Sequence, residues 1–200
     1  MKSTACALLA FGAAALFASP ALAQSQGTEP FSESNVFVMG GPFTTGYFGD
    51  SFLFWQDHYE SNFFAGVGYQ HFIYANDAGF KFGVEAGLGL RAGDRTSAEL
   101  WAGGVARFDM FQLGDIRITP SLTAGFSVVT DTIGIETERA QSINRGVPIL
   151  YYLGPEIAVS HVEHPQLEAF ARIQHRSGGF GSIAHIDGSN AATLGVRYKF

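Results

Sequence analysis

His175 and Ser177 carry the side chains best suited to chemistry in this chain of 200 residues, and they close the segment Glu168–Ser177, Glu-Ala-Phe-Ala-Arg-Ile-Gln-His-Arg-Ser. In a β-strand, successive side chains point to opposite sides. Glu168, Phe170, Arg172, Gln174 and Arg176 then share one face, and Ala169, Ala171, Ile173, His175 and Ser177 the other. Positions i and i+2 on one face lie roughly 6 to 7 Å apart along the backbone, close enough for an imidazole to take a hydroxyl proton. This is the nucleophile and general-base pairing used in ester hydrolysis. His-x-Ser is also a common tripeptide, and the plainer reading is a polar rim where a strand leaves an apolar environment.

The other polar constellations are less suggestive. His161-Val162-Glu163-His164 has a spacing that metal ligands use, but no third and fourth partner is in view, so no metal is expected. Glu85 and Glu99 alternate with arginines and read as ion-pairing groups. Trp101, on the same face as the charges, reads as filling.

The elements that must position His175 and Ser177 follow from composition and periodicity. The chain opens with Lys2, an apolar run from about Ala5 to Phe17, the helix break Ser19-Pro20 and Ala21-Leu22-Ala23, the parts of a secretory signal peptide cleaved after Ala23. This divides the chain into a leader (1–23), a polar linker (24–34) and one domain (35–200). Cys6 lies inside the leader, so no disulfide is expected. The net charge of −6 disfavours nucleic acid as a partner. Charged residues make up 15% of the chain, well under the roughly 25% usual for a water-soluble domain. With 19 Phe and 25 Gly and no second long apolar run, the composition suits an exported β-barrel.

Eight alternating segments follow, at about Asn35–Tyr47, Asn62–Tyr74, Phe80–Arg91, Ser97–Phe108, Ile116–Val128, Val147–Ser160, Glu168–Ser177 and Ala192–Phe200. The first is the least regular, and Pro42 interrupts it. The third is the clearest: Phe80, Phe82, Val84, Ala86, Leu88 and Leu90 alternate with Lys81, Gly83, Glu85, Gly87, Gly89 and Arg91. Gly49–Ser61, Thr130–Gly146 and Gly178–Ser189 read as polar loops, and the remaining connections as short turns. Segments of this length suit bilayer-crossing strands. Starting from the periplasm, three of the four connections outside the cell are longer than any periplasmic one; Ala92–Arg95 is the exception.

Nearly every segment has one continuously apolar face, while the other collects Lys81, Glu85, Arg91, Glu99, Arg107, Arg117, Glu156, Glu168, Arg172, Arg176, Arg197 and Lys199. An eight-stranded interior is just wide enough for side chains to fill it. The numerous Phe and Leu therefore suit an outer belt, and the mixed charges an inner plug. The expected fold is all-β: an eight-stranded antiparallel transmembrane β-barrel in the bacterial outer membrane. His175 and Ser177 then stand on the lipid face toward the outer leaflet, where the acyl region of lipopolysaccharide is the substrate at hand.

The run Gln174-His175-Arg176-Ser177-Gly178-Gly179 and the terminal Gly195-Val196-Arg197-Tyr198-Lys199-Phe200 resemble the C-terminal part of the lipid A 3-O-deacylase (PagL-type) family of outer-membrane barrels. The likeness covers mainly the last 30 or so residues, with the barrel pattern agreeing elsewhere. It implies an esterase that removes the 3-position acyl chain of lipid A without a cofactor, with Ser177 as nucleophile and His175 as base. The family usually has Asn directly after the Ser for oxyanion stabilisation; here Gly178 stands there, and its backbone N–H is the substitute. Ser189 occupies the family's acidic position. Asp187 is the nearest carboxylate and the candidate to orient His175, with Asn190 as an uncharged alternative. A non-enzymatic structural or adhesive barrel is the rival reading, and the sequence leaves open whether the barrel is a monomer or a homodimer.

Overall fold

The structure, a computed structural model, describes residues 34–200 apart from 54, 110, 144 and 145. The leader and residues 24–33 of the linker lie outside the described residues. The strands are β1 (Ser34–Thr44), β2 (Tyr59–Ala75), β3 (Phe80–Ala92), β4 (Thr96–Phe108), β5 (Phe111–Leu113), β6 (Ile116–Val129), β7 (Ile149–His161), β8 (Leu167–Ser177) and β9 (Asp187–Lys199). A short 3-10 turn, Asp50–Leu53, follows β1, and one helix, α1 (Gly134–Ser142), lies between β6 and β7.

Consecutive long strands pair antiparallel, β1 also pairs with β9, and β4 with β6, so the eight long strands close into a barrel. The three-residue β5 only extends the β6 edge at the end with short turns. Closure pairs each of the eight long strands on both sides, which lets them stand in hydrocarbon without unpaired backbone groups.

The side chains are sorted in the sense opposite to a water-soluble barrel. Val84, Leu88, Leu194 and Val196 are 51%, 61%, 71% and 59% exposed, whereas Glu85, Arg107, Arg172 and Arg197 are at most 2% exposed. An exterior of Val, Leu, Ile and Phe around an interior of charges suits a bilayer and would not suit water. The turn end carries an aromatic group, Tyr74, Phe80 and Phe108, with ring centroids 6.3 and 5.2 Å apart along the row, matching the interfacial girdle of such barrels.

The interior is filled, as the charge pattern predicts. Arg172 donates to Glu85 at 2.7 and 2.9 Å and to Glu156 at 2.9 Å. Arg197 grips Glu156 through two nitrogens at 2.8 Å each and reaches Glu168 at 3.0 Å. The planar guanidinium heads lie over Phe37 and Phe170, 4.7 to 5.6 Å from the ring centroids. Trp101 fills the centre and donates its indole N–H to Glu85 at 2.8 Å. A Cβ at Gly87 would overlap the Trp101 ring, so the clear alternation of β3 also reserves room for the indole.

Three sequence expectations change. Thr130–Gly146 is not all loop, because Gly134–Ser142 is helical; its apolar signal is short, since only Glu136 and Ala140 are buried within it. Tethers outside the segment hold it instead. The Ile135 N–H donates to Glu60 Oε1 at 3.0 Å, and Glu136 enters the barrel mouth to meet Arg91 at 2.5 Å and Arg176 at 3.0 Å. The first strand ends at Thr44 rather than Tyr47, with a register shift between Pro42 and Thr44. The last strand begins at Asp187, inside what reads as the loop Gly178–Ser189.

Candidate active site

β8 and β9 build the site by their register. His175 pairs across the strands with Asn190, and Arg176 with Ser189, but Ser177 pairs with Asp187. Gly188 is therefore an extra residue on β9. Such a bulge re-aims the side chains beyond it. Without it Asp187 would share the inward face of Ser189, which bonds to Arg91 and Glu136 inside the barrel. With it, Asp187 stands beside Asn190 on the outward side. Glycine is needed here because a Cβ at Gly188 would press on the Arg176 carbonyl and on Leu150.

His175 and Ser177 lie on the outward side of β8, as their parity predicts, while Gln174 and Arg176 are buried in the barrel. The pair does not lie bare against lipid, however. Phe48, from the segment after β1, stacks on the imidazole with centroids 4.2 Å apart, and His175 is only 5% exposed. Both residues line a cavity of about 480 Å³, closed by Phe48 on one side and by Phe180, Gly181, Ala184, His185 and Ile186 on the other. Phe180 forms the tip of that loop, fully exposed and held at φ 55, a left-handed conformation that costs a bulky side chain energy and that recurs at functional sites.

The hydrogen bonds around His175 fix its protonation pattern. Its Nδ1 lies 2.6 Å from Asn190 Oδ1, and Asn190 Nδ2 donates to the Gly46 carbonyl at 3.0 Å. The second bond settles which way the amide points, so Oδ1 is the atom facing the ring. A carbonyl oxygen only accepts, so Nδ1 carries hydrogen and the lone pair of the neutral ring is on Nε2. That is the tautomer a general base requires.

Asp187 is brought within ion-pair distance of the ring but not within hydrogen-bond distance. Its Oδ1 is 3.7 Å from His175 Nδ1 and is buried without a hydrogen-bond partner among the described residues, while Oδ2 accepts the Phe48 N–H at 3.2 Å. Asn190 rather than Asp187 therefore holds the ring. No hydrogen bond joins Ser177 to His175, although both line the same cavity.

Gly178 needs a correction. Its N–H donates to the Ile186 carbonyl at 2.9 Å and closes the neck of the 178–186 loop, so this hydrogen is already used and does not serve an oxyanion. A further polar side chain on the cavity wall is His185, whose ring packs on Gly181 so closely that a Cβ there would overlap it. Sequence reading passes over His185 and Phe48 because each reaches the site through a loop rather than a strand parity. Glu85 and Glu99 are both tied to arginines, to Arg172 at 2.7 Å and Arg91 at 3.6 Å.

A second cavity of about 630 Å³ has a mainly apolar lining that includes Phe52, Ile157, Ala171, Ile173, Ala192 and Leu194. Ile173 and Ala192 are the outward neighbours of His175 and Asn190 along their strands.

No family model matches the chain, and no curated protein sequence does. Among solved structures, the outer membrane enzyme PagL superposes with a TM-score of 0.59 at 13% identity, over 83% of this chain and 99% of that one. Neisserial surface protein A (NspA) superposes with a TM-score of 0.51 at 15% identity, over 84% and 98%. At such identities the likeness is one of fold, an eight-stranded barrel of the bacterial outer-membrane type.

Proposed function

We propose that this barrel is an outer-membrane esterase that hydrolyses an ester-linked acyl chain of lipid A, with the 3-position chain as its target. The observation that carries the reading is the His175–Asn190 pair: an imidazole held in the base tautomer, beside a serine, on the outward face of the barrel at its long-loop end. In the outer membrane that end borders the outer leaflet, where lipid A is.

Ser177 Oγ attacks the ester carbonyl carbon as its proton passes to His175 Nε2. The resulting imidazolium keeps its Nδ1 hydrogen on Asn190 and gains the negative charge of Asp187, 3.7 Å away. His185 supplies a hydrogen bond to the oxyanion, the role that Gly178 does not fill. Collapse of the tetrahedral species breaks the bond to the sugar oxygen, which takes the proton from His175. Water then attacks the acyl-serine as His175 accepts its proton, and Ser177 is regenerated with release of the fatty acid. No metal or cofactor takes part. The apolar cavity that Ile173 and Ala192 line, one outward position along the strands from His175 and Asn190, suits the acyl chain, since burying methylenes there is favourable by about 0.8 kcal/mol each.

Mass spectrometry of lipid A from cells expressing the wild type or Ser177→Ala tests the proposal. Loss of one hydroxyacyl chain with the wild type alone supports it. Identical spectra leave the second reading, a non-enzymatic surface barrel, which the missing Ser177–His175 hydrogen bond favours.

Asn190→Ala and Asp187→Asn separate the two orienting candidates. Asn190→Ala is expected to lower kcat by roughly 10- to 100-fold, less than the roughly 10⁴-fold that a wrong tautomer costs a full triad, because Asp187 Oδ1 remains 3.7 Å from Nδ1. Asp187→Asn keeps that partner, and the smaller loss is expected. The reverse order in steady-state kinetics would make Asp187 the orienting group.

A further inference from the structure

Helix α1 crosses the loop end of the barrel, and its one cation in the last turn, Arg139, reaches the two structural features on which the site depends. Arg139 Nη1 donates to the Gly188 carbonyl at 3.2 Å. Gly188 is the bulge residue that turns Asp187 outward. Arg139 Nη2 donates to the Thr45 carbonyl at 3.0 Å and to the Gly46 carbonyl at 3.2 Å, and the guanidinium lies 5.0 Å over the Tyr47 ring. Gly46 O is the acceptor that sets the Asn190 amide, and Phe48, two residues on, covers the imidazole.

From this network we infer that Arg139 is a positioning residue for His175, a clasp from α1 that holds the β9 bulge and the segment after β1 in one geometry. The inference rests on the esterase reading only for its kinetic consequence. Arg139 touches neither His175 nor Ser177 by a hydrogen bond; it acts through two backbone segments. Its guanidinium suits this work because a planar fork with fixed N–H directions holds carbonyls of two separate segments in one defined geometry, whereas an ammonium is a compact charge with freely rotating donors.

The helix carrying the clasp is itself anchored in the barrel. Glu136, one turn before Arg139, pairs with Arg91 and Arg176 and accepts from Ser189 at 3.3 Å. Arg176 and Ser189 directly precede Ser177 and Asn190 in the chain. The ion cluster in the barrel mouth and the site on its outer wall therefore share both strands, and α1 bridges them. A rigid support of this kind is what a catalytic pair requires, since misplacement by about 1 Å costs roughly 100-fold in rate.

The test uses the full barrel in detergent micelles, as wild type, Arg139→Lys and Arg139→Gln, with heat-modifiable electrophoretic mobility confirming that each has folded. The first readout is the 15N spectrum of the His175 imidazole at neutral pH, which reports the tautomer without any turnover. The wild type is expected to show hydrogen on Nδ1, and Arg139→Gln a mixture of tautomers. The second readout is hydrolysis of purified lipopolysaccharide: Arg139→Gln is expected to lower kcat by about 10- to 100-fold with KM little changed, and Arg139→Lys to fall between it and the wild type. An unchanged tautomer and wild-type kcat in Arg139→Gln overturn the inference. If that variant does not fold, Arg139→Lys decides on the same two readouts, and a wild-type spectrum and kcat there overturn it. A wild type that shows the Nδ1 tautomer but hydrolyses nothing defeats the esterase reading, while a tautomer change in Arg139→Gln still supports the clasp.

Discussion

Purified barrel carrying His175→Ala is expected to hydrolyse a long-chain acyl ester at least roughly 10³-fold more slowly in kcat/KM than the wild type, and adding Ser177→Ala is expected to cost nothing more. A nucleophile and its base act as one unit, so removing either abolishes the same step. A loss of 10³ corresponds to about 4 kcal/mol of transition-state stabilisation. The prediction depends on Nε2, the nitrogen left with the lone pair when Asn190 holds Nδ1 at 2.6 Å. Steady-state rates of the two single variants and the double variant on one substrate decide it. Independent, multiplying losses would mean that the two residues do not share a proton, and a near-wild-type His175→Ala would remove the base from the mechanism.

How much of this was legible beforehand depends on the distance over which each feature is encoded. β3 and β4 were readable because their signal is local: a two-residue period of Phe, Val and Leu against Glu, Arg and Gly survives whatever the neighbours do. Inside and outside could also be assigned, because paired charges fit a narrow lumen and a ring of Leu and Phe does not. The outward placement of His175 and Ser177 followed from the same parity. The helix Gly134–Ser142 was not legible, since its support comes from Glu60, Arg91 and Arg176, all distant in sequence.

The orienting group shows the limit most plainly. Counting along β9 puts Asp187 and Ser189 on one face; only the Gly188 bulge, visible as a break in the β8–β9 register, separates them. A bulge is a property of two strands together and leaves little mark on either alone. From the sequence Asn190 is only an uncharged alternative, and what orients its amide is the Gly46 carbonyl, 144 residues away in the chain. Gly178 fails as an oxyanion donor for a similar reason, because its partner Ile186 is fixed by the closure of the loop.

Arg172→Met is expected to destabilise the barrel by about 3 to 5 kcal/mol, the usual cost of stranding a buried charge. Every nitrogen of the Arg172 guanidinium contacts a carboxylate, and the two carboxylates it serves are not equally dependent on it. Glu156 keeps Arg197, with two bonds of 2.8 Å. Glu85, among the described residues, has Arg172 as its ion-pair partner and otherwise neutral donors: Gln70, Trp101 and Thr123, at 2.5, 2.8 and 2.9 Å. The loss should therefore be concentrated at Glu85, and Glu85→Gln placed on the Arg172→Met background should recover most of it by removing the orphaned charge. Glu85→Gln alone should cost less than Arg172→Met, because Arg172 retains Glu156. Urea unfolding in micelles, followed by tryptophan fluorescence on a Trp55→Phe background so that Trp101, whose indole bonds to Glu85, is the reporter, measures all three variants on one scale. Failure of the double variant to recover stability would mean that Arg172 acts mainly by packing against Phe37 and Phe170, where its head group lies 4.8 and 5.6 Å from the ring centroids.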